Sequence, residues 1–99
     1  MNFKIVKMAA TDKRLTGMHM RVFMLLSASK LLMQSKLAEL LSAKKQNINK
    51  IVKELEMWGY IKVHSMEGKN KFFTISNDIN KIESIMMGQM DLFKEIIEK

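Results

Sequence analysis

Residues 35–63, SKLAELLSAKKQNINKIVKELEMWGYIKV, constrain the fold more than any other stretch of the chain. They read as a short helix, a tight turn, a longer helix and a strand. In the longer helix Ile51, Val52 and Leu55 follow Ile48 at intervals of three, four and seven, which is one face of a helix. At roughly 100° per residue, Gln46, Asn49, Lys50 and Lys53 project from the opposite side. Residues 44–53 contain four lysines, three carboxamides and no acid. That combination suits duplex DNA, because ammonium groups neutralise phosphates and carboxamides can pair with base edges in a major groove.

The charge distribution points the same way. The chain of 99 residues carries a net charge of +7, unevenly spread. Residues 1–76 hold fourteen Lys or Arg against five Asp or Glu, whereas residues 77–99 hold three against five. The basic excess therefore belongs to the first three quarters, where it favours a polyanionic partner. A chain of this length makes one domain with a modest core, and 47% hydrophobic residues exclude a disordered chain. There is no cysteine, so disulfide and thiolate chemistry are excluded and a cytoplasmic location is the compatible one. The longest apolar run, residues 22–26, is five residues, far short of the ~20 that span a bilayer. Charges interrupt the apolar residues of 1–14, so no secretory signal is expected there.

Along the chain, residues 1–14 alternate Phe3 and Ile5 with charge and suggest a short strand or an extended arm. Thr16 is a plausible N-cap, with Leu15 and Met20 placed as a hydrophobic staple for a helix over 17–28. A second helix covers 35–41, Ser42 and Ala43 make the turn, and the longer helix covers 45–58 before Gly59 ends it. Residues 61–63 and 72–75 are strand-like, and the intervening eight residues, with Gly68 near their middle, predict a hairpin with a loose tip. Asn77 and Asp78 look like a cap for a last helix over 79–99.

The residues Leu37-Ala38-Glu39 with Leu41, then Ile48, Leu55-Glu56 and Gly59-Tyr60-Ile61, resemble the helix-turn-helix of winged-helix DNA-binding proteins. The similarity is greatest to MarR-like regulators and to the related domains of phage and plasmid replication initiators. Leu15-Thr16 followed by Arg21 to Leu26 is similar to the first helix of that family, so the resemblance covers roughly residues 15–76. It implies an α+β, mostly helical winged helix-turn-helix over 1–76 with a short N-terminal arm, followed by a C-terminal helix over 77–99. It also implies a brief strand near Leu31-Leu32 and a wing at the hairpin. Family members usually cap both motif helices with Ser or Thr, whereas here Met33 and Lys44 occupy those positions. A missing cap costs ~1 kcal/mol. Ser35 or Ser42 capping from a shifted register is the alternative.

On this scaffold Lys45, Gln46, Asn47, Asn49 and Lys50 are the candidates for base or base-adjacent contact. Gln46 and Asn49 would read bases, and Lys50 and Lys53 would meet guanine or phosphate. Lys44 and Lys45 would lie on the backbone, Ser35 and Lys36 would clamp phosphates, and Lys69 and Lys71 would extend from the wing. The bland readings are a solvated lysine face, and edge lysines that keep a hairpin soluble. Trp58 and Tyr60 read as core residues in preference to base-stacking ones. His19 and His64 read as surface polar groups. Met86, Met87 and Met90 read as packing residues, and no metal or cofactor is implied. No catalytic constellation is present, so an enzyme is not expected.

The expected function is site-specific binding of double-stranded DNA by a transcriptional regulator of bacterial, phage or plasmid origin. The alternatives are a DNA-binding module for replication or maintenance of a mobile element, and a winged-helix adaptor that binds only protein. The stripe Ile79, Ile82, Met86, Met90, Phe93 and Ile97 is wider than a coiled-coil seam and must be covered. A homodimer through that stripe is expected, and packing of the helix within a monomer is the alternative.

Overall fold

The computed structural model describes residues 3–76 and 78–87. Its elements are α1 (Phe3–Thr11), α2 (Gly17–Ser29), β1 (Leu32–Met33), α3 (Gln34–Leu40), α4 (Lys45–Met57), β2 (Ile61–Glu67) and β3 (Asn70–Ile75). A further helix, α5, is described over residues 79–87. The three strands form one antiparallel sheet in the order β1-β3-β2. This is an α+β, mostly helical arrangement, as the sequence predicts.

The N-terminal stretch departs from the expectation. Residues 3–11 are neither a strand nor an extended arm but a helix, because Ile5 and Ala9, four apart, are both buried on one face. Their helical spacing decides the conformation over the local alternation of Phe3 and Ile5 with charge. The helix-turn-helix follows the predicted register within a residue. Met33 and Lys44 hold the N-cap positions of α3 and α4, and neither makes a side-chain cap. The turn between these helices passes through Ser42 with a left-handed φ of 50°. It is closed by Ser42 N–H to Glu39 O and Ala43 N–H to Ala38 O at 3.2 and 3.0 Å.

At the far end of α4, Gly59 has φ 89°, and the Gly59 and Tyr60 amides donate to Glu56 and Leu55 carbonyls at 3.1 and 3.0 Å. That pattern is a Schellman motif, which needs a residue content at positive φ. Glycine is required here for a second reason: a Cβ at 59 would lie 3.2 Å from Ile85 and 3.3 Å from Ile82. Helix α5 rests directly on this corner.

The hairpin is tighter than predicted. Pairing runs from Ile61↔Ile75 to Glu67↔Asn70, so only Gly68 and Lys69 form the turn, with Gly68 at φ 62°. A bulge between Val63 and Ser65 shifts the register by one. Beyond it both faces of the ladder meet solvent, so its residues carry no hydrophobic alternation and resemble a loop in sequence. The core gathers Val22, Phe23 and Leu26 of α2, Leu37 of α3, Ile48, Val52 and Leu55 of α4, and Tyr60, Ile61 and Phe73 from the sheet side. Trp58 and Tyr60 are core residues, as expected. Ile82 of α5 is also fully buried in this single chain, with Ile79 and Met86 partly buried against the same core. The first turns of the C-terminal stripe are therefore covered by their own domain, which places Ile82 out of reach of a second copy. Met90, Phe93 and Ile97 lie outside the described residues.

Candidate nucleic-acid interface

Helix α4 presents the interface because its amphipathicity is steep. Ile48, Ile51, Val52 and Leu55 are buried, while Lys45, Gln46, Asn47, Asn49, Lys50 and Lys53 are exposed. On the flank toward α3 and the hairpin, the surface forms a concavity of about 440 Å³. Ser35 of α3, Lys45, Asn49 and Lys53 of α4, and Lys69 and Lys71 of the hairpin line it, and none of the lining residues is acidic. Six of the predicted contact residues thus converge from three elements. Among the described residues, the four lysines make no ion pair. Lys36 is less available, since it sits 3.6 Å from Glu39 on its own helix. Lys44 and Gln46 are exposed at the start of α4.

Sequence reasoning missed two polar residues of this surface, Asn70 of the hairpin and Gln34. Gln34, the first residue of α3, also lines the concavity, and its Nε2 donates to Asn49 Oδ1 at 3.3 Å. Starting α3 one residue earlier would have placed this carboxamide beside α4.

The opposite flank is built differently. Asn47 and Lys50 line a cleft of about 360 Å³ together with Arg14, Thr16, His19 and Glu54. Arg14 of this cleft belongs to a hydrogen-bonded group with Asp12 and Tyr60. Asp12 accepts from the Arg14 guanidinium at 2.6 Å, from the Arg14 backbone N–H at 3.0 Å and from the Tyr60 hydroxyl at 2.8 Å. Burial pushes the Asp12 carboxyl up, but the Arg14 and Tyr60 hydrogen bonds outweigh it and hold the group below the usual carboxylate range. Burial and the bond to Asp12 push the Tyr60 phenol well above its ordinary value. The bond to Asp12 raises Arg14 further.

The Arg14 guanidinium lies 4.7 Å from the Trp58 ring centre, and Trp58 in turn packs on His19 with centroids 5.3 Å apart. His19 is buried, which corrects the expectation of a surface group; His64 is exposed. The imidazole replaces the Glu or Gln of a capping box. Its Nδ1 accepts the Thr16 backbone N–H at 3.0 Å, which leaves the proton on Nε2, directed at Glu54 Oε1 3.5 Å away.

Two helices joined by a turn, a three-stranded antiparallel sheet and a basic hairpin beside the second helix define a winged helix-turn-helix fold. No protein-family model matches the sequence, and no curated protein matches it. Solved structures do. TrmBL2, an archaeal chromatin protein with a novel mode of DNA binding, is similar over 96% of this chain with a TM-score of 0.66 and 19% identity. ZitR of Lactococcus lactis is similar over 89% with a TM-score of 0.61 and 19% identity. A mutant MarR from E. coli complexed with operator DNA is similar over 93% with a TM-score of 0.62 and 11% identity. The chain spans 35% of the length of TrmBL2, 62% of ZitR and 69% of MarR. At these identities the likeness is one of fold. Among the described residues, no helix is long and apolar enough to cross a membrane.

Proposed function

We propose that this chain binds double-stranded DNA site-specifically and acts as a non-enzymatic transcriptional regulator in the cytoplasm, with α4 in the major groove. The observation that carries this reading is the acid-free concavity between α4 and the hairpin, walled by Lys45, Lys53, Lys69 and Lys71. Four cations with no internal counter-charge repel one another, and a phosphate backbone running between helix and wing relieves that repulsion. Ser35 adds a hydroxyl to the same wall. Gln46 and Lys50, on the solvent-facing crest of α4, then meet base edges, with Asn47 beside them. Lys44 reaches the backbone at the start of the helix, and Lys36 approaches it from α3. The MarR structure complexed with operator DNA shares this fold, which supports duplex DNA as the partner.

Pairing of two copies belongs to the same reading. The Lys4–Glu83 ion pair at 3.6 Å brings the start of α1 beside α5. Phe3, one residue before, is 81% exposed, and Met87, one turn after, is 62% exposed. Large apolar groups left open at one end of a small domain mark an interaction surface. A second copy joined there, and through Met90, Phe93 and Ile97, would set two α4 helices on half-sites about one helical turn, ~34 Å, apart.

Binding of a random duplex measured against salt tests the first claim. With four to six phosphate contacts, log K falls with log salt at a slope of about −4 to −5. A slope flatter than about −2 would favour a protein-only adaptor. Sedimentation equilibrium at tens of micromolar, about the range in which a weak self-association of ~7 kcal/mol is visible, tests the second.

A further inference from the structure

The Gln34–Asn49 contact carries an inference that rests on the DNA-binding reading and goes beyond it. A carboxamide on a recognition helix can ordinarily read adenine, because its oxygen accepts from N6 while its nitrogen donates to N7. Asn49 is not free in that sense. Its oxygen faces back toward α3, where it accepts from Gln34 Nε2 at 3.3 Å. The Asn49 N–H groups take no part in that contact, and Asn49 lines the concavity with Lys45 and Lys53, which can only donate. That wall of α4 thus presents mainly hydrogen-bond donors, with one lone pair of the Asn49 oxygen already engaged by Gln34. A flip of the Asn49 amide alone would set N–H against N–H.

We propose that Gln34 is a positioning residue that fixes the polarity of Asn49, so that Asn49 reads an acceptor-bearing base edge, guanine first and thymine second, and rejects adenine. Guanine offers O6 and N7 as adjacent acceptors, which the two N–H groups of Asn49 match.

Four variants test this by selection of bound sites from random duplex DNA. Asn49→Ala identifies the position read, by losing its preference there by about tenfold or more, the size of one good base contact. At that position Gln34→Leu, which frees the Asn49 oxygen, admits adenine at near parity with guanine. Gln34→Lys can only donate, so it keeps Asn49 oriented and preserves the wild-type base. Gln34→Glu can only accept, so it turns the Asn49 oxygen outward and shifts the preference to adenine. A purely structural role for Gln34 would predict neither the rescue by Lys nor the inversion by Glu. The proposal is overturned if Gln34→Leu returns the wild-type motif, or if all four variants lower affinity equally for every sequence, which would mark Asn49 as a phosphate contact. A wild-type chain that enriches no motif removes the site-specific reading itself. A motif that the variants leave unchanged removes only the role of Gln34. Gln34 is half-buried, Asn49 is exposed and neither belongs to the core, so thermal melts of the variants should coincide with wild type and exclude misfolding.

Discussion

The two flanks of α4 hold similar numbers of ionisable groups and treat them in opposite ways. Toward α1 and α2 the buried charges are joined to partners, Asp12 to Arg14 and Tyr60 and Arg14 to the Trp58 face, while His19 lies 3.5 Å from Glu54 and Lys50 stays exposed at the rim. Toward α3 and the hairpin, Lys45, Lys53, Lys69 and Lys71 share a wall with no acid. Compensated charge on a folded chain fixes its shape, and uncompensated charge of one sign awaits a partner. On the proposed function, the first flank answers to stability and the second to binding. Substitutions that keep these responses apart sharpen the contrast, and any that mix them break it.

The largest expected effect is on the paired flank. Trp58→Ala removes the surface on which both Arg14 and His19 rest and should cost about 3–5 kcal/mol, read as the shift in denaturant midpoint. Next comes the lysine wall. Replacing Lys45, Lys53, Lys69 and Lys71 together by Ala should flatten the salt dependence of DNA binding by ~3.6 units of slope, at ~0.9 per phosphate. Surface changes of this kind alter stability by less than about 0.5 kcal/mol each. A large loss of stability with unchanged binding would reverse the assignment of the two flanks.

Asp12→Asn should cost about 1–3 kcal/mol, because it weakens bonds to a guanidinium and a phenol at a site shielded from water. It should also change the pH profile. The folded Asp12 carboxyl is lowered, so its contribution is present above the ordinary value of about 3.9 and is lost as pH falls through the lowered one. Tyr60 is raised, so its contribution is present below about 10 and is lost as pH climbs beyond that toward the folded value. Thermal melts across pH should show the acid limb flattened in Asp12→Asn and the alkaline limb flattened in Tyr60→Phe. The smallest effect is a gain: Ser42→Gly, at φ 50° in the helix-turn-helix, should stabilise the domain by about 1 kcal/mol and leave DNA affinity unchanged.

The contrast between flanks also accounts for what could be read in the sequence. The helix-turn-helix was legible because Ile48, Ile51, Val52 and Leu55 repeat on one face and Gly59 marks the end of the helix. Of the concavity's lysines, Lys45 and Lys53 were legible for lack of any acid among residues 44–53, and Lys69 and Lys71 by their place in the expected hairpin. Helix α1 was not, since its buried face amounts to Ile5 and Ala9, and Phe3 misleads by staying exposed. The paired flank was invisible because it joins residues 48 apart, as Tyr60 and Asp12 are, and pairwise chemistry at that separation leaves no periodic trace. The length of the hairpin was hidden for the reverse reason, since a ladder wet on both sides has no pattern to display.

The glycine that ends α4 has one more consequence. A Cβ at 59 would stand only 3.3 and 3.2 Å from the side chains of Ile82 and Ile85, so α5 packs on the end of α4 through these two side chains with no space between. Close-packed interiors transmit displacement instead of absorbing it. A seat of that kind has little slack. On the proposed function, a second copy that reorients α5 acts on the end of the helix that carries Gln46, Lys50 and Lys53, and Gly59 is then the point at which assembly and recognition are mechanically geared.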